Sequence, residues 1–140
     1  MTTRADFFTQ TQKTSNLFAD LMTNLIPHPI SKDVVKVKND QSIKQALRNL
    51  VLTNYGERMF QPTVGCDIRN ALFEPNDILS ADAIQHHITT TIQNHEPRVS
   101  LIEVVVQPSF EDDLVTVNIV FSIINTTAVQ SLSMILKRVR

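Results

Sequence analysis

The sequence predicts an α+β domain, an antiparallel meander sheet with helices packed on one face. Three observations predict it. Helical stripes fill the middle of the chain, strict two-residue alternation takes over after residue 98, and neither an internal repeat nor a low-complexity linker divides the chain. At 140 residues it is expected to form one domain over residues 17–140, preceded by a tail. A chain near this size buries roughly 68–70% of its unfolded surface, so its core needs no disulfide or metal.

The first helix is expected from Gln41 to Asn54. Ser42 followed by Gln45 has the capping-box pattern. Ile43, Ala46, Leu47, Leu50 and Val51 recur at the spacing of one buried stripe, and Gly56 stands where a left-handed residue would close the helix. Gly56 and Gly65 are the only glycines, which suggests backbone positions where a side chain or a negative φ is not tolerated. Asp67 can cap a short helix carrying Ile68, Ala71 and Leu72, and Phe73-Glu74-Pro75-Asn76-Asp77 reads as a turn. Ser80 is the expected cap of a third helix, whose stripe is Ala81, Ile84, Ile88, Thr91 or Ile92, and His95.

That helix runs into Glu96-Pro97-Arg98. Proline disfavours the α conformation of the residue before it and suits a strand's first position better than its middle, so a rigid helix-to-strand corner is expected. Beyond it, Ile102, Val104 and Val106 would form one apolar face. Val115, Val117, Ile119, Phe121 and Ile123 alternate with smaller or polar residues, as do Leu132, Met134 and Leu136. The last strand of such a meander has an open edge. It is either a site for adding a strand from another chain or one protected by Lys137, Arg138 and Arg140.

The start of the chain is less constrained. Residues 1–16 are polar and threonine-rich, with Phe7 and Phe8 their only large apolar groups, and are expected to be flexible in isolation. Residues 17–30 fit either a helix capped by Ser15 or an extended arm, with Pro27 and Pro29 ending any helix. Val34, Val35 and Val37 suggest a short strand.

Composition excludes several functions. A net charge of −1 gives no bulk attraction to nucleic acid or an anionic membrane. No apolar run approaches a membrane span or a secretory signal core. Cys66 is alone, and the four histidines His28, His86, His87 and His95 lack the spacing of a metal site, so no cofactor is expected. Glu96 is the best candidate acid, but the arginine beside it favours the ionised carboxylate, the wrong state for a general acid. Glu57, Asp67, Glu74 and Glu103 could each supply a second carboxylate, yet none has a spacing that marks it out. No nucleophile elbow, phosphate loop or dinucleotide fingerprint is present. On spacing alone, Glu96 and Arg98 are a structural ion pair.

Four features, in order, change that reading: a helix ending in Leu52-Thr53, the Gly56-Glu57-Arg58 turn, the step from Pro62 to Gly65-Cys66-Asp67, and the Glu96-Pro97-Arg98 corner. The set resembles the small baseplate wedge proteins of contractile-tailed phages, a family that includes the TssE component of the type VI secretion baseplate. The resemblance covers about residues 33–139. Phe18-Ala19-Asp20 is similar to the family's aromatic-x-Asp start, while Thr63-Val64 departs from its usual acidic-aromatic pair. The resemblance implies a non-enzymatic structural protein of the virion tail baseplate, assembled in the host cytoplasm and present in several copies. Its implied partners are the baseplate wedge core proteins, docked by Glu96, Pro97 and Arg98, and the tail sheath protein. The sheath would meet the strands carrying Val115, Val117, Ile119, Leu132, Met134 and Leu136. Gly56, Glu57, Arg58 and Gly65 become a structural turn. The family has also carried a lysozyme-like label, which leaves a peptidoglycan hydrolase as the alternative.

Overall fold

The computed structural model describes residues 17–75, 77–109, 113–124, 126 and 128–138. The expectation for residues 1–16 lies outside them, as does Asn76 of the predicted turn. The elements are β1 (Ala19–Leu21), β2 (Lys36–Lys38), α1 (Asp40–Leu52), α2 (Ile68–Phe73), α3 (Ile78–His95), β3 (Val99–Ser109), β4 (Leu114–Ile123) and β5 (Val129–Lys137). β3, β4 and β5 form an antiparallel meander in that order. Fold class and architecture are those the sequence predicted.

The core lies between the helices and one face of this sheet. β4 supplies Val115, Val117, Ile119, Phe121 and Ile123, all 3% exposed or less. Their partners are Ile43, Leu47 and Val51 of α1 and Ile84, Ile88 and Ile92 of α3, which fall on the predicted stripes. β5 adds Leu132, Met134 and Leu136, while Ser131, Ser133 and Ile135 between them are exposed.

β3 departs from simple alternation. Its register with β4 shifts between Leu101 and Glu103, leaving Ile102 as an extra residue, a β-bulge. The expected face of Ile102, Val104 and Val106 is therefore split. Ile102 is pushed outward and is 56% exposed, whereas Val99 and Leu101 pack on the core with Val104 and Val106.

Both predicted serine caps belong to earlier residues. Asn39 precedes α1, and Ser42 is buried inside the helix with its hydroxyl unpartnered among the described residues. Asp77 caps α3 by accepting the Ser80 N–H at 2.8 Å, and the Ser80 hydroxyl turns back to the Pro75 carbonyl. The Ser80 N–H, and its hydroxyl 2.9 Å from the same Oδ1, favour the ionised carboxyl and hold the Asp77 pKa below its ordinary value. α1 also stops sooner than predicted, so Gly56, at φ 80°, serves the following loop and not the helix end.

The extended reading of the arm is the one observed. β1 and β2 pair antiparallel, and a bridge between Pro27 and Val34 continues the ribbon. Gln45 fastens it to α1, donating to the Leu21 carbonyl at 2.7 Å and accepting from the Thr23 N–H at 3.3 Å.

Candidate functional site

Glu96 leaves the helix as the following proline requires, with φ −125° and ψ 77°. Its N–H still reaches the Ile92 carbonyl at 2.9 Å, and its own carbonyl accepts from Val99 N–H at 3.2 Å. Pro97 is thus the second residue of a turn and not the first of β3, a position suited to its fixed φ.

The turn folds Arg98 back over Glu96. Nε donates to Oε1 at 2.6 Å and Nη2 to Oε2 at 2.7 Å, a two-pronged fork. Glu96 is 6% exposed, and the Arg98 side chain 37%. The Glu96 bonds raise the Arg98 pKa above its ordinary value; burial opposes this, and the charges of Glu96 and Asp20 assist it. The Phe18 ring lies 5.6 Å from the guanidinium carbon, a cation–π contact. Asn39 holds Phe18 there: its N–H donates to the Phe18 carbonyl at 2.8 Å and its Oδ1 accepts the Leu17 N–H at 3.1 Å. The corner is therefore a buried carboxylate, a guanidinium over it and an aromatic ring from the arm. Sequence spacing did not connect Phe18 to Arg98, although the aromatic-x-Asp start was the signal for it.

This geometry leaves little for acid chemistry, because both Glu96 oxygens accept from Arg98. The four other carboxylates weighed above lie on three pieces of the fold: Glu57 in the loop after α1, Asp67 and Glu74 at opposite ends of α2, and Glu103 on the exposed side of β3.

The Gly56-Glu57-Arg58 turn is built into the loop from residue 53 to 66. Gly56 N–H donates to the Pro62 carbonyl at 2.9 Å, and the Glu57 carboxylate accepts the Asn54 N–H at 2.9 Å. Arg58 is exposed, with its carbonyl accepting from Gln61 N–H at 3.2 Å. At Gly65 a Cβ would meet the backbone of Thr53 and Asn54 at 2.8 Å, so only glycine fits. Its carbonyl accepts from the Thr91 hydroxyl at 3.2 Å, tying the loop to α3.

The six residues expected to face the sheath have their side chains in the core. Val115, Val117 and Ile119 lie on β4, paired on both sides, and offer neither side chain nor backbone to a partner. Leu132, Met134 and Leu136 lie on β5, which among the described residues is an edge strand with one side unpaired. Beside that edge is a cavity of about 450 Å³, lined by Leu52, Ile68, Arg69, Phe73, Ile135 and Lys137 among others. Sequence reasoning missed it.

The chain matches the family model of baseplate wedge protein gp25 over residues 37–128. The chain belongs to the gp25 baseplate wedge family. The match takes in α1, the 53–66 loop and the Glu96-Pro97-Arg98 corner. The gp25 baseplate wedge protein of Enterobacteria phage T4 is 37% identical over 95 residues, covering 68% of this chain and 72% of that protein.

Solved structures share the gp25 family fold. A candidate tail lysozyme from Geobacter sulfurreducens superposes with a TM-score of 0.67 at 20% identity, covering 72% of this chain and 92% of that one. A chain of the anti-feeding prophage baseplate gives 0.62 at 20% identity, over 84% of this chain and 83% of that one. A chain of the type VI secretion baseplate complex gives 0.57 at 15%, over 69% and 90%.

Proposed function

We propose that this gp25-family protein joins the wedge core of a contractile-tail baseplate to the first ring of tail sheath and templates sheath assembly by strand addition. It acts in several copies in the virion baseplate, without enzymatic activity, cofactor or nucleic acid, after assembly in the host cytoplasm. Family membership supports the baseplate setting. The observation that supports the templating role is the sheet order, in which β5 keeps one side unpaired among the described residues while its apolar residues stay in the core. Main-chain pairing supplies affinity along such an edge without diagnostic side chains.

Wedge docking falls to Glu96, Pro97 and Arg98. Pro97 is exposed at the tip of the turn, and the Glu96 fork uses two of the five guanidinium N–H donors. Arg98→Ala is expected to leave purified protein folded while excluding it from baseplates. Thermal melts on the protein and a protein inventory of assembled tails check this, and contractile tails of normal composition would end the docking role.

A hydrolase reading has the likeness to the candidate tail lysozyme behind it, at the level of fold. The fork on Glu96 weighs against it, since both carboxylate oxygens are engaged by Arg98 and a catalytic acid must reach its substrate. Purified protein is expected not to clear a peptidoglycan suspension; clearance abolished by Glu96→Gln would reverse the conclusion.

A further inference from the structure

The proposed dock of Glu96, Pro97 and Arg98 leaves the Phe18-Ala19-Asp20 start without a role. Residues two apart on an extended chain share a face, and both Phe18 and Asp20 act on Arg98. The ring lies 5.6 Å from the guanidinium carbon, and the Asp20 charge joins that of Glu96 in favouring the protonated guanidinium.

The arm does not fix itself. Three-residue strands in a two-stranded ribbon are marginal in water, so its seat depends on its ties to α1. Asn39 makes the tie nearest the corner, and at a local cost. An asparagine just before a helix ordinarily accepts a first-turn N–H, but the Asn39 side chain makes no such bond. Its Oδ1 accepts the Leu17 N–H and its own N–H donates to the Phe18 carbonyl, so it grips the chain on both sides of the ring. Its backbone stands at φ 51° and ψ −125°, a region that glycine favours. α1 thus forgoes a cap and carries a strained residue, and what is gained is a fixed place for Phe18.

That place matters because of what the fork leaves undone. Glu96 and Arg98 meet edge to edge, which sets their separation but not the tilt of the plane they share. A ring over one face of the guanidinium sets that tilt. Arg98 has five N–H donors in a rigid plane; Glu96 takes two, and two of the other three lie parallel at the far edge, one on each terminal nitrogen. A partner's paired oxygen acceptors can use that edge only at the tilt the ring imposes.

From this we infer that Phe18 and Asn39 are positioning residues of the dock: Asn39 seats the Phe18 ring on Arg98, and the ring presents the far edge of the guanidinium to a pair of oxygen acceptors on the wedge partner. The inference rests on the docking role above and names what orients Arg98.

The test uses the full-length chain, with purified wedge core proteins of the same tail as probe. Capture is measured as a dissociation constant at a temperature where melts show each variant folded. Phe18→Leu keeps apolar bulk and removes the ring, whereas Phe18→Tyr keeps the ring. Asn39→Gly suits the backbone and retains its N–H, but deletes the grip on Leu17. Phe18→Leu should weaken capture by about fivefold and Phe18→Tyr by less than about twofold. Asn39→Gly should weaken it by about threefold while melting close to the wild type, because lost grip and relieved strain offset each other in stability but not in docking. A merely structural role predicts instead that capture follows the melts. Phe18→Leu binding like the wild type, or Phe18→Tyr binding as weakly as Phe18→Leu, overturns the role of the ring. Asn39→Gly binding like the wild type overturns the grip, and this variant decides alone if Phe18→Leu does not fold. In each of these cases capture lost in Arg98→Ala leaves the docking role standing. If Arg98→Ala is captured like the wild type, or the wild type is not captured, the docking role fails, and the inference with it.

Discussion

The two ends of the sheet solve opposite problems. Roughly 30 Å separates them, the length of the ten residues of β4 at about 3.3 Å each. At the corner end a charge is buried and satisfied within the chain: Glu96 by Arg98, and Arg98 in turn by Glu96 and the ring of Phe18. At the groove end, where the cavity lies beside β5, the described residues leave apolar surface uncovered, with Leu52, Phe73 and Ile135 each more than half exposed. A satisfied charge stabilises the free protein, and its removal is felt there. Exposed apolar surface contributes little to the free protein, and its removal is felt by a partner. Stability measurements should therefore separate the two ends.

Arg98→Ala should show the largest loss of stability. Breaking a fully buried pair costs roughly 3–5 kcal/mol, and because Arg98 is partly solvated the expected loss is about 2 kcal/mol by denaturant melts. That leaves a domain of ordinary stability folded. A loss near zero would mean that Glu96 finds water in place of Arg98, and the corner would then resemble the groove end. Phe18→Ala comes next, at about 1 kcal/mol, from the cation–π contact and a partly buried ring. A double-mutant cycle with Arg98→Ala should show coupling between the two, and additivity would remove the arm from the corner. Phe73→Ser should be smallest, within about 0.5 kcal/mol of wild type, because the ring is 65% exposed. A larger loss would make Phe73 part of the core and the groove an ordinary surface dimple.

What could be read in the sequence follows from how local each feature is. The corner is three adjacent residues with a proline among them, so its turn and its ion pair were both readable. The stripes of α1 and α3 and the alternation of β4 were readable because their periods repeat. The bulge was not: Leu101 and Ile102 are both apolar, so either fits the inward face, and only pairing with β4 selects Leu101. The caps were misassigned because a serine near a helix start fits as cap or as first-turn residue, and Asp77 outcompetes Ser80 by accepting its N–H. The groove could not be read, because its walls come from residues 51–73 and 135–137. Leu52, Phe73 and Ile135 look like ordinary core residues until packing leaves them outside. The same holds for Phe18, whose partner stands 80 positions away.

The bulge at Ile102 and the proline at position 108 have one more consequence. A sheet with two receptive edges can pair with copies of itself without limit, as fibre-forming strands do. A sheet with one blunted edge cannot propagate: it can begin a row of paired strands but cannot sit in the middle of one. That asymmetry gives the molecule a direction: among the described residues one edge of the sheet is open to pairing and the other is blunted.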